Sequence, residues 1–281
     1  MPPAIIPSFQ LPSLELGPVT IQSFGVLTAL GVLTAVWLSG RAARRMGKDP
    51  QVIVDFAVVG ILAGVLVGHL VHVTFYHPEE GSEALRLLGT CLSGGGCKDV
   101  GSALKVWEGL SSMGGLVGGI LAAAIWFRRK KIPFADYSDA FALGIAPGWG
   151  VARVGCFTVH DHPGVRSDFF LAVRMDGVPR HDLGLYEAIL LFALAALLWT
   201  LHRRGILRGR LLALLAVLYG VGRFLLDFLR ARPGDVAYAD GRIAGLTAAQ
   251  YIVAVLAVYG AWRILTRPRS PGRQAGQGKA A

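Results

Sequence analysis

Only 16% of the 281 residues are charged and 53% are hydrophobic, whereas a soluble domain carries about a quarter charged. The net charge of +10 does not indicate nucleic acid, because the basic residues fall in short clusters between apolar blocks and not on one face of a soluble module. Three cysteines are too few for a disulfide scaffold.

In chain order, Met1 to Leu16 carries no positively charged stretch ahead of the first apolar block, so no cleaved signal peptide is expected. Apolar blocks then run over 18–40, 52–76, 114–127, 139–152, 185–201, 211–229 and 246–265. A helical crossing of a bilayer needs roughly 20 such residues. Backbone in lipid must satisfy its own hydrogen bonds, and these runs are too long for barrel strands, so helices are expected throughout. The third and fourth blocks are short and glycine-rich, which fits tilted, re-entrant or flank-extended spans. The expected fold class is all-α: a polytopic membrane helix bundle of about seven transmembrane helices. One domain is expected over 1–266, followed by a Gly/Arg/Pro-rich, disordered cytoplasmic tail over 267–281.

The basic clusters orient the chain. They are Arg41, Arg44, Arg45 and Lys48; Arg128 to Lys131; Arg203, Arg204, Arg208 and Arg210; and Arg263, Arg267, Arg269 and Arg273. Placing all four on the cytoplasmic side, against anionic membrane lipids, puts the N-terminus outside and the C-terminus inside. Segments 1–17, 77–113, 153–184 and 230–245 then face outward. Cys91 and Cys97 lie in one such loop and would bridge in an oxidising compartment, leaving Cys156 unpaired. Gly60, Gly64 and Gly68, and Gly114, Gly115, Gly118 and Gly119, recur at spacings that let helices approach closely.

Charge at membrane depth is costly, which makes it informative. Arg223 and Asp227 lie four apart and share a helical face. They form either a register-fixing ion pair or a site where the guanidinium grips a phosphate. Arg153, just past the fourth block, opens an outward loop as a snorkelling arginine or a second headgroup ligand. The string His160-Asp161-His162-Pro163-Gly164 suits acid–base work near neutral pH, ordinary loop hydrogen bonding, or two ligands of a metal site that lacks one or two more. An extended segment would set His160 and His162 on the same side. His69 and His72 lie three apart in the second block, and Glu187 enters the fifth block as a charge partner for Arg153 or Arg223. There is no Gly-x-Ser-x-Gly, P-loop or dinucleotide fingerprint, so hydrolase, ATPase and hydride-transfer readings lack support.

Several strings in order carry a resemblance. They are Leu-Gly-Pro-Val-Thr-Ile-Gln-Ser-Phe-Gly (16–25), Trp107 to Gly115, Ala152 to Phe157, Arg180-His181 with Leu185-Tyr186-Glu187, Tyr219 to Arg230, and Gly245 with Gln250. Together, from Leu16 to Leu265, they resemble prolipoprotein diacylglyceryl transferase, a bacterial inner-membrane enzyme family. The resemblance implies transfer of a diacylglyceryl group from phosphatidylglycerol to the lipobox cysteine thiol in the signal-peptide region of a prolipoprotein, with release of glycerol phosphate. It implies no metal and no other cofactor. By match, Arg153 and Arg223 would hold the phosphate, with Asp227 and His69 in the same phospholipid-binding set. Asp227 and Glu187 would organise the arginines.

The chain also departs from that pattern. Met113 stands where the family carries a histidine, and a methionine cannot move a proton. The family signature Gly-Arg-x-Gly-Asn-Phe-x-Asn-Gly-Glu reads Ala152-Arg153-Val154-Gly155-Cys156-Phe157-Thr158-Val159-His160-Asp161. His69 replaces an arginine and Phe24 a tyrosine. Either His160 or His162, with Asp161 and Glu187, substitutes as the catalytic group, or the chain is a divergent paralogue acting on another lipid or acceptor. A lipid-binding or transport protein without chemistry is the rival from another class.

Overall fold

The computed structural model describes residues 19–76, 111–175, 177–236 and 241–266, with 6, 7, 9, 11, 13–16, 81–83, 86, 89 and 93. Cys91, Cys97, Trp107 to Leu110 and the tail 267–281 lie outside the described residues. Each apolar block forms a helix: α1 (Ser23–Arg45), α2 (Gln51–Val71), α3 (Ser112–Arg129), α4 (Ser138–Val159), α5 (Leu183–Arg203), α6 (Leu211–Leu226) and α7 (Ala248–Thr266). Six of these helices are long and apolar enough to cross a membrane. The 18-residue α3, which ends in Arg128 and Arg129, is not one of them. Large apolar side chains stand exposed along α1, α2, α6 and α7, Leu33, Leu62, Leu225 and Val258 among them. Such faces suit hydrocarbon as solvent.

The chain divides into two compact units, Met1–Pro50 with Ala135–Ala281, and Gln51–Phe134. In the second unit α2 packs on α3 through the glycines read from the sequence. A Cβ on Gly118 would stand 2.5 Å from the Ala63 carbonyl oxygen, and one on Gly114 2.8 Å from Gly68 Cα. Ser111 caps α3 by accepting from Gly114 N at 3.2 Å, and a π-helical turn, His72–Tyr76, follows α2.

In the first unit α4 packs against α1, α5 and α6, and α6 against α7. The contact with α1 is backbone-close: a Cβ on Gly148 would lie 2.5 Å from the Gly31 carbonyl oxygen. Ala140, Ala142, Leu143 and Ala146 of α4 are buried, with Ala42 and Ala43 of α1. Asp139, in the first turn of α4, accepts from the backbone N–H of Gly209 and, at 2.9 Å, of Leu211. It thereby satisfies orphan donors at the start of α6.

The fourth span was expected to end at 152, with Arg153 opening a loop. Instead α4 runs unbroken through Pro147 to Val159 and Arg153 lies inside it, 5% exposed. A hydropathy window ends a span at an arginine because it cannot see the carboxylate that neutralises it. His160, with φ of 51°, terminates the helix; this left-handed conformation is a common helix stop.

Short strands occupy the connections. β1 (Leu14–Leu16) pairs with β2 (Val19–Ile21). β3 (Pro163–Arg166), β4 (Val173–Met175) and β5 (Val178–Asp182) form an antiparallel sheet in the order β3-β5-β4. β6 (Arg242–Ile243) and β7 (Leu246–Thr247) form a hairpin. Its two-residue turn, Ala244 and Gly245, has positive φ at both positions, as a type I′ turn needs. Arg180 of β5 donates to the carbonyls of Gly164, at 3.1 Å, and Asp235, at 3.0 Å.

Gly148→Val should destabilise the protein by about 1–3 kcal/mol, since backbone faces it and cannot move aside. Thermal unfolding in detergent reads this as a lowered midpoint; an unchanged midpoint would mean that α1 and α4 do not meet at Gly31 and Gly148.

Candidate active site

Polar side chains of α4 and α6 converge in the first unit on one carboxylate of α5. β5 runs straight into α5, and Asp182 is the N-cap, its Oδ1 accepting from Leu185 N at 3.0 Å. That start sets the register of Glu187 one turn inside the helix. Glu187 Oε2 lies 3.0 Å from Arg153 Nε of α4, and its Oε1 lies 2.9 Å from Arg223 Nε of α6. The Tyr219 hydroxyl, one turn before Arg223, donates to Oε2 at 3.1 Å.

Asp227, in the 3-10 turn Asp227–Leu229 that follows α6, accepts from Arg223 Nη1 and from the Thr247 hydroxyl. Thr247 and Gln250 form a capping box at the start of α7. Thr247 N donates to Gln250 Oε1 at 2.9 Å, and Gln250 N donates to Thr247 Oγ1 at 3.2 Å. Gln250 Nε2 reaches back to the Phe224 carbonyl at 3.1 Å.

Glu187 and Asp227 are fully buried, and Arg223 and Arg153 are 4% and 5% exposed. Two cations against two anions leave no net charge, which makes such burial tolerable. The pairing is nevertheless incomplete. Arg153 Nε and Glu187 Oε1 lack an aligned hydrogen bond, and among the described residues no hydrogen bond reaches Nη2 of either arginine. Donor capacity of that kind suits an anion.

At the other end of Arg153, Nη1 lies 3.5 Å from Cys156 Sγ and 2.9 Å from His162 Nε2. A guanidinium only donates, so Nε2 accepts and the ring proton sits on Nδ1, 3.0 Å from Asp161 Oδ1. One ligand atom each from Cys156, Asp161 and His162 lie within 4.8 Å of one another, but the Arg153 guanidinium already sits on both the sulfur and His162 Nε2, so this lining does not fit a divalent cation.

His160 goes elsewhere. Its left-handed backbone turns the ring away from His162, so the two do not share a side as an extended segment would require. Nδ1 lies 2.7 Å from Asp182 Oδ2 and Nε2 lies 2.8 Å from the Phe9 carbonyl oxygen. Both neighbours accept, so both ring nitrogens donate. The hydrogen bond to Asp182 raises the pKa of His160 against the opposing effect of burial. His69 is buried in α2, in the second unit, and Met113 lies in α3.

The structure thus brings Arg153, Glu187, Arg223, Asp227, Asp161 and His162 together. Sequence reasoning missed Tyr219, Thr247 and Gln250 as members of the network. Two signals were available: Tyr219 stands four before Arg223, and Thr-x-x-Gln before an apolar run is a helix start.

The sequence profile of the prolipoprotein diacylglyceryl transferase family matches residues 12–266. The chain belongs to the prolipoprotein diacylglyceryl transferase family. It is 30% identical over 286 residues to the phosphatidylglycerol–prolipoprotein diacylglyceryl transferase of Symbiobacterium thermophilum, covering 94% of this chain and 96% of that one. It is 31% identical over 283 residues to transferase 1 of Streptomyces coelicolor, covering 97% and 77%. A third relative, from Chromohalobacter salexigens, is 31% identical over 223 residues, covering 78% of each chain.

Two outcomes follow from this geometry. Glu187→Ala strands the buried Arg153 guanidinium and leaves Arg223 with Asp227 alone, which should cost about 3–5 kcal/mol, seen as a large drop in the unfolding midpoint; a drop no larger than that of a surface variant would contradict the pairing. For His160 the sign is that of a base with a raised folded pKa. Its stabilisation is fully present below about 6.5 and is lost as pH rises through the higher folded value. The midpoint difference between wild type and His160→Asn should therefore shrink as pH is raised, and a pH-independent difference would remove the charged pair with Asp182.

Proposed function

We propose that the chain moves the diacylglyceryl group of phosphatidylglycerol onto the cysteine thiol in a prolipoprotein's signal-peptide region, on the outward side of a bacterial inner membrane. The observation that carries this is the pair of buried guanidiniums, Arg153 and Arg223, held on the two oxygens of Glu187. Each keeps donor capacity beyond that pairing. A phosphodiester needs such a place: charge-assisted donors fixed before it arrives, in surroundings of low dielectric.

The chemistry is a substitution at the terminal glyceryl carbon. The thiol sulfur forms a carbon–sulfur bond there, the carbon–oxygen bond to phosphate breaks, and glycerol phosphate leaves with the electron pair. Negative charge grows on the leaving phosphate, so the arginines bind the transition state more tightly than the ground state. Glu187 and Asp227 aim the guanidiniums and do not themselves meet the lipid. The thiol gives its proton to the Asp161–His162 pair at the Arg153 end of the network. His160, donating through both ring nitrogens, is a positioning residue that ties Asp182 to the N-terminal segment.

An open apolar hollow of about 390 Å³, walled by Phe169, Leu171, Tyr186, Ile189, Leu226 and Leu229, adjoins α5 and α6 and suits hydrocarbon. The four basic clusters support an orientation with the N-terminus outside, which puts the segment that follows α4 on the side where prolipoproteins emerge.

In a strain depleted of its own diacylglyceryl transferase, the chain should restore the gel shift of a marker lipoprotein. Purified protein should release glycerol phosphate from phosphatidylglycerol when given a thiol peptide. Arg153→Ala should lower that release by about 100-fold or more. Arg153→Lys should not restore it, because an ammonium cannot grip two oxygens from a fixed fork. Full activity in Arg153→Ala, from protein folded in the membrane, would take the arginine pair out of the reaction. Restored glycerol phosphate release without lipidated protein would assign a different acceptor.

A further inference from the structure

Beside the Glu187 network, the same two helices wall an apolar hollow that holds a single polar pair. Tyr186 directly precedes Glu187 on α5, and Leu226 directly precedes Asp227 at the end of α6. Glu187 and Asp227 turn to the arginines, while Tyr186 and Leu226 line the hollow with Phe169, Leu171, Ile189 and Leu229. His181 of β5 completes the lining, and its Nδ1 lies 2.8 Å from the Tyr186 hydroxyl. The Phe169 ring meets Tyr186 edge-on, with centroids 6.2 Å apart, which holds the phenol between the loop after β3 and α5.

The hydrogens of this pair can be counted. Burial holds the pKa of His181 below the ordinary histidine value, so the ring is neutral near neutral pH and carries one N–H. Tyr186 carries one O–H. The hydrogen bond between them uses one of these two hydrogens, whichever tautomer the ring adopts. The other, on Nε2 or on the hydroxyl, has no acceptor among the described residues. A spare donor in an apolar wall suits a group that accepts and does not donate. An acyl ester carbonyl is such a group. A peptide backbone is not, because each of its carbonyls comes with an N–H. Phe169, Leu171, Ile189, Leu226 and Leu229 offer that N–H no side-chain acceptor.

We propose that His181 and Tyr186 form a subsite that recognises an acyl ester carbonyl of the lipid donor, with the acyl chain lying in the hollow. This deepens the transferase reading and rests on it, naming the lipids the site takes: diester glycerophospholipids ahead of their diether counterparts. The layout of the donor matches that of the protein. Phosphate and the nearer acyl ester hang from adjacent carbons of one glycerol, and the arginine network and the hollow hang from adjacent residues, Glu187 with Tyr186 and Asp227 with Leu226. A phosphate held by Arg153 and Arg223 therefore brings the neighbouring ester to the Tyr186 side. Ile189, Leu225 and Phe228 stand exposed on the same helices and carry the apolar surface on from the hollow, so the chain stays among hydrocarbon. Two points of attachment, phosphate and ester, also limit how the terminal glyceryl carbon turns before the thiol reaches it.

Purified full-length protein, given a thiol peptide and either diester or diether phosphatidylglycerol of matched chain length, reads the subsite through glycerol phosphate release. The expected result is a diester preference in kcat/KM that falls by about 5- to 10-fold in His181→Leu/Tyr186→Phe, as for the loss of one neutral hydrogen bond. Intrinsic differences between the lipids are common to both proteins, and general damage from the substitutions is common to both lipids, so neither moves that comparison. The wild type gives a second reading that needs neither variant nor turnover. With phosphatidylglycerol isotope-labelled at its acyl carbonyls, the infrared stretch of one ester should move to lower wavenumber on binding. A diester preference unchanged in the double variant, or ester stretches that stay where the bilayer has them, overturns the subsite. A raised KM for the thiol peptide in the double variant, with the lipid preference intact, gives the hollow to the acceptor and overturns the lipid assignment. Normal release without any diester preference overturns the subsite and leaves the transferase reading standing. A shifted ester stretch without any glycerol phosphate release supports the subsite and counts against the transferase reading.

Discussion

Glu187 holds two guanidiniums at a depth where neither could remain alone. Its two oxygens face Arg153 of α4 and Arg223 of α6 at 3.0 and 2.9 Å. Much of the first unit follows from that contact. The three helices must keep a register in which one carboxylate reaches both arginines, and the backbone-close packing of α4 on α1 at Gly31 and Gly148 lets α4 sit there. Asp227 extends the same logic. By pairing with Arg223 and Thr247 it joins the end of α6 to the capping box that starts α7. The charges balance, so the cluster is stable in a low-dielectric interior; the donor groups left over make it useful there.

The segment that follows α4 is coupled to this network through eight residues of chain. Arg180 pins β5 to the loops around Gly164 and Asp235. Asp182 caps α5 with one oxygen and holds His160 with the other. Glu187 follows within the first turns of that helix. A shift in the sheet would therefore move the carboxylate between the arginines, and a phosphate drawing on the arginines would be felt in the sheet. The left-handed turn at His160 is the second hinge of the arrangement, since it decides that His162 returns to Arg153 while His160 does not.

Much of this was legible in the sequence, and the exceptions share a cause. Long apolar blocks gave the helices, and the spacing of Arg223 and Asp227 gave their pairing, because both depend on local periodicity alone. Arg153 was misplaced into a loop because hydropathy registers its charge and not its distant partner. The sheet of β3, β4 and β5 went unseen, being built from three- to five-residue strands that include Pro163, Gly164, Pro179 and three arginines. His160 and His162 were grouped because period two assumes extended backbone, which a single residue at φ 51° abolishes. Cys156 read as an unpaired thiol, since nothing local announces that a reversed chain will bring Asp161 and His162 to it.

Native mass spectrometry of the purified protein with defined lipids tests most directly whether the arginine pair is a phosphate site. Wild-type protein should retain phosphatidylglycerol and not the diacylglycerol that shares its acyl chains but lacks phosphate. Arg223→Gln should lose phosphatidylglycerol, while Arg180→Gln, whose arginine binds only backbone carbonyls among the described residues, should keep it. Equal retention of the two lipids, or undiminished phosphatidylglycerol on Arg223→Gln, would contradict a headgroup site built on Glu187 and its two arginines.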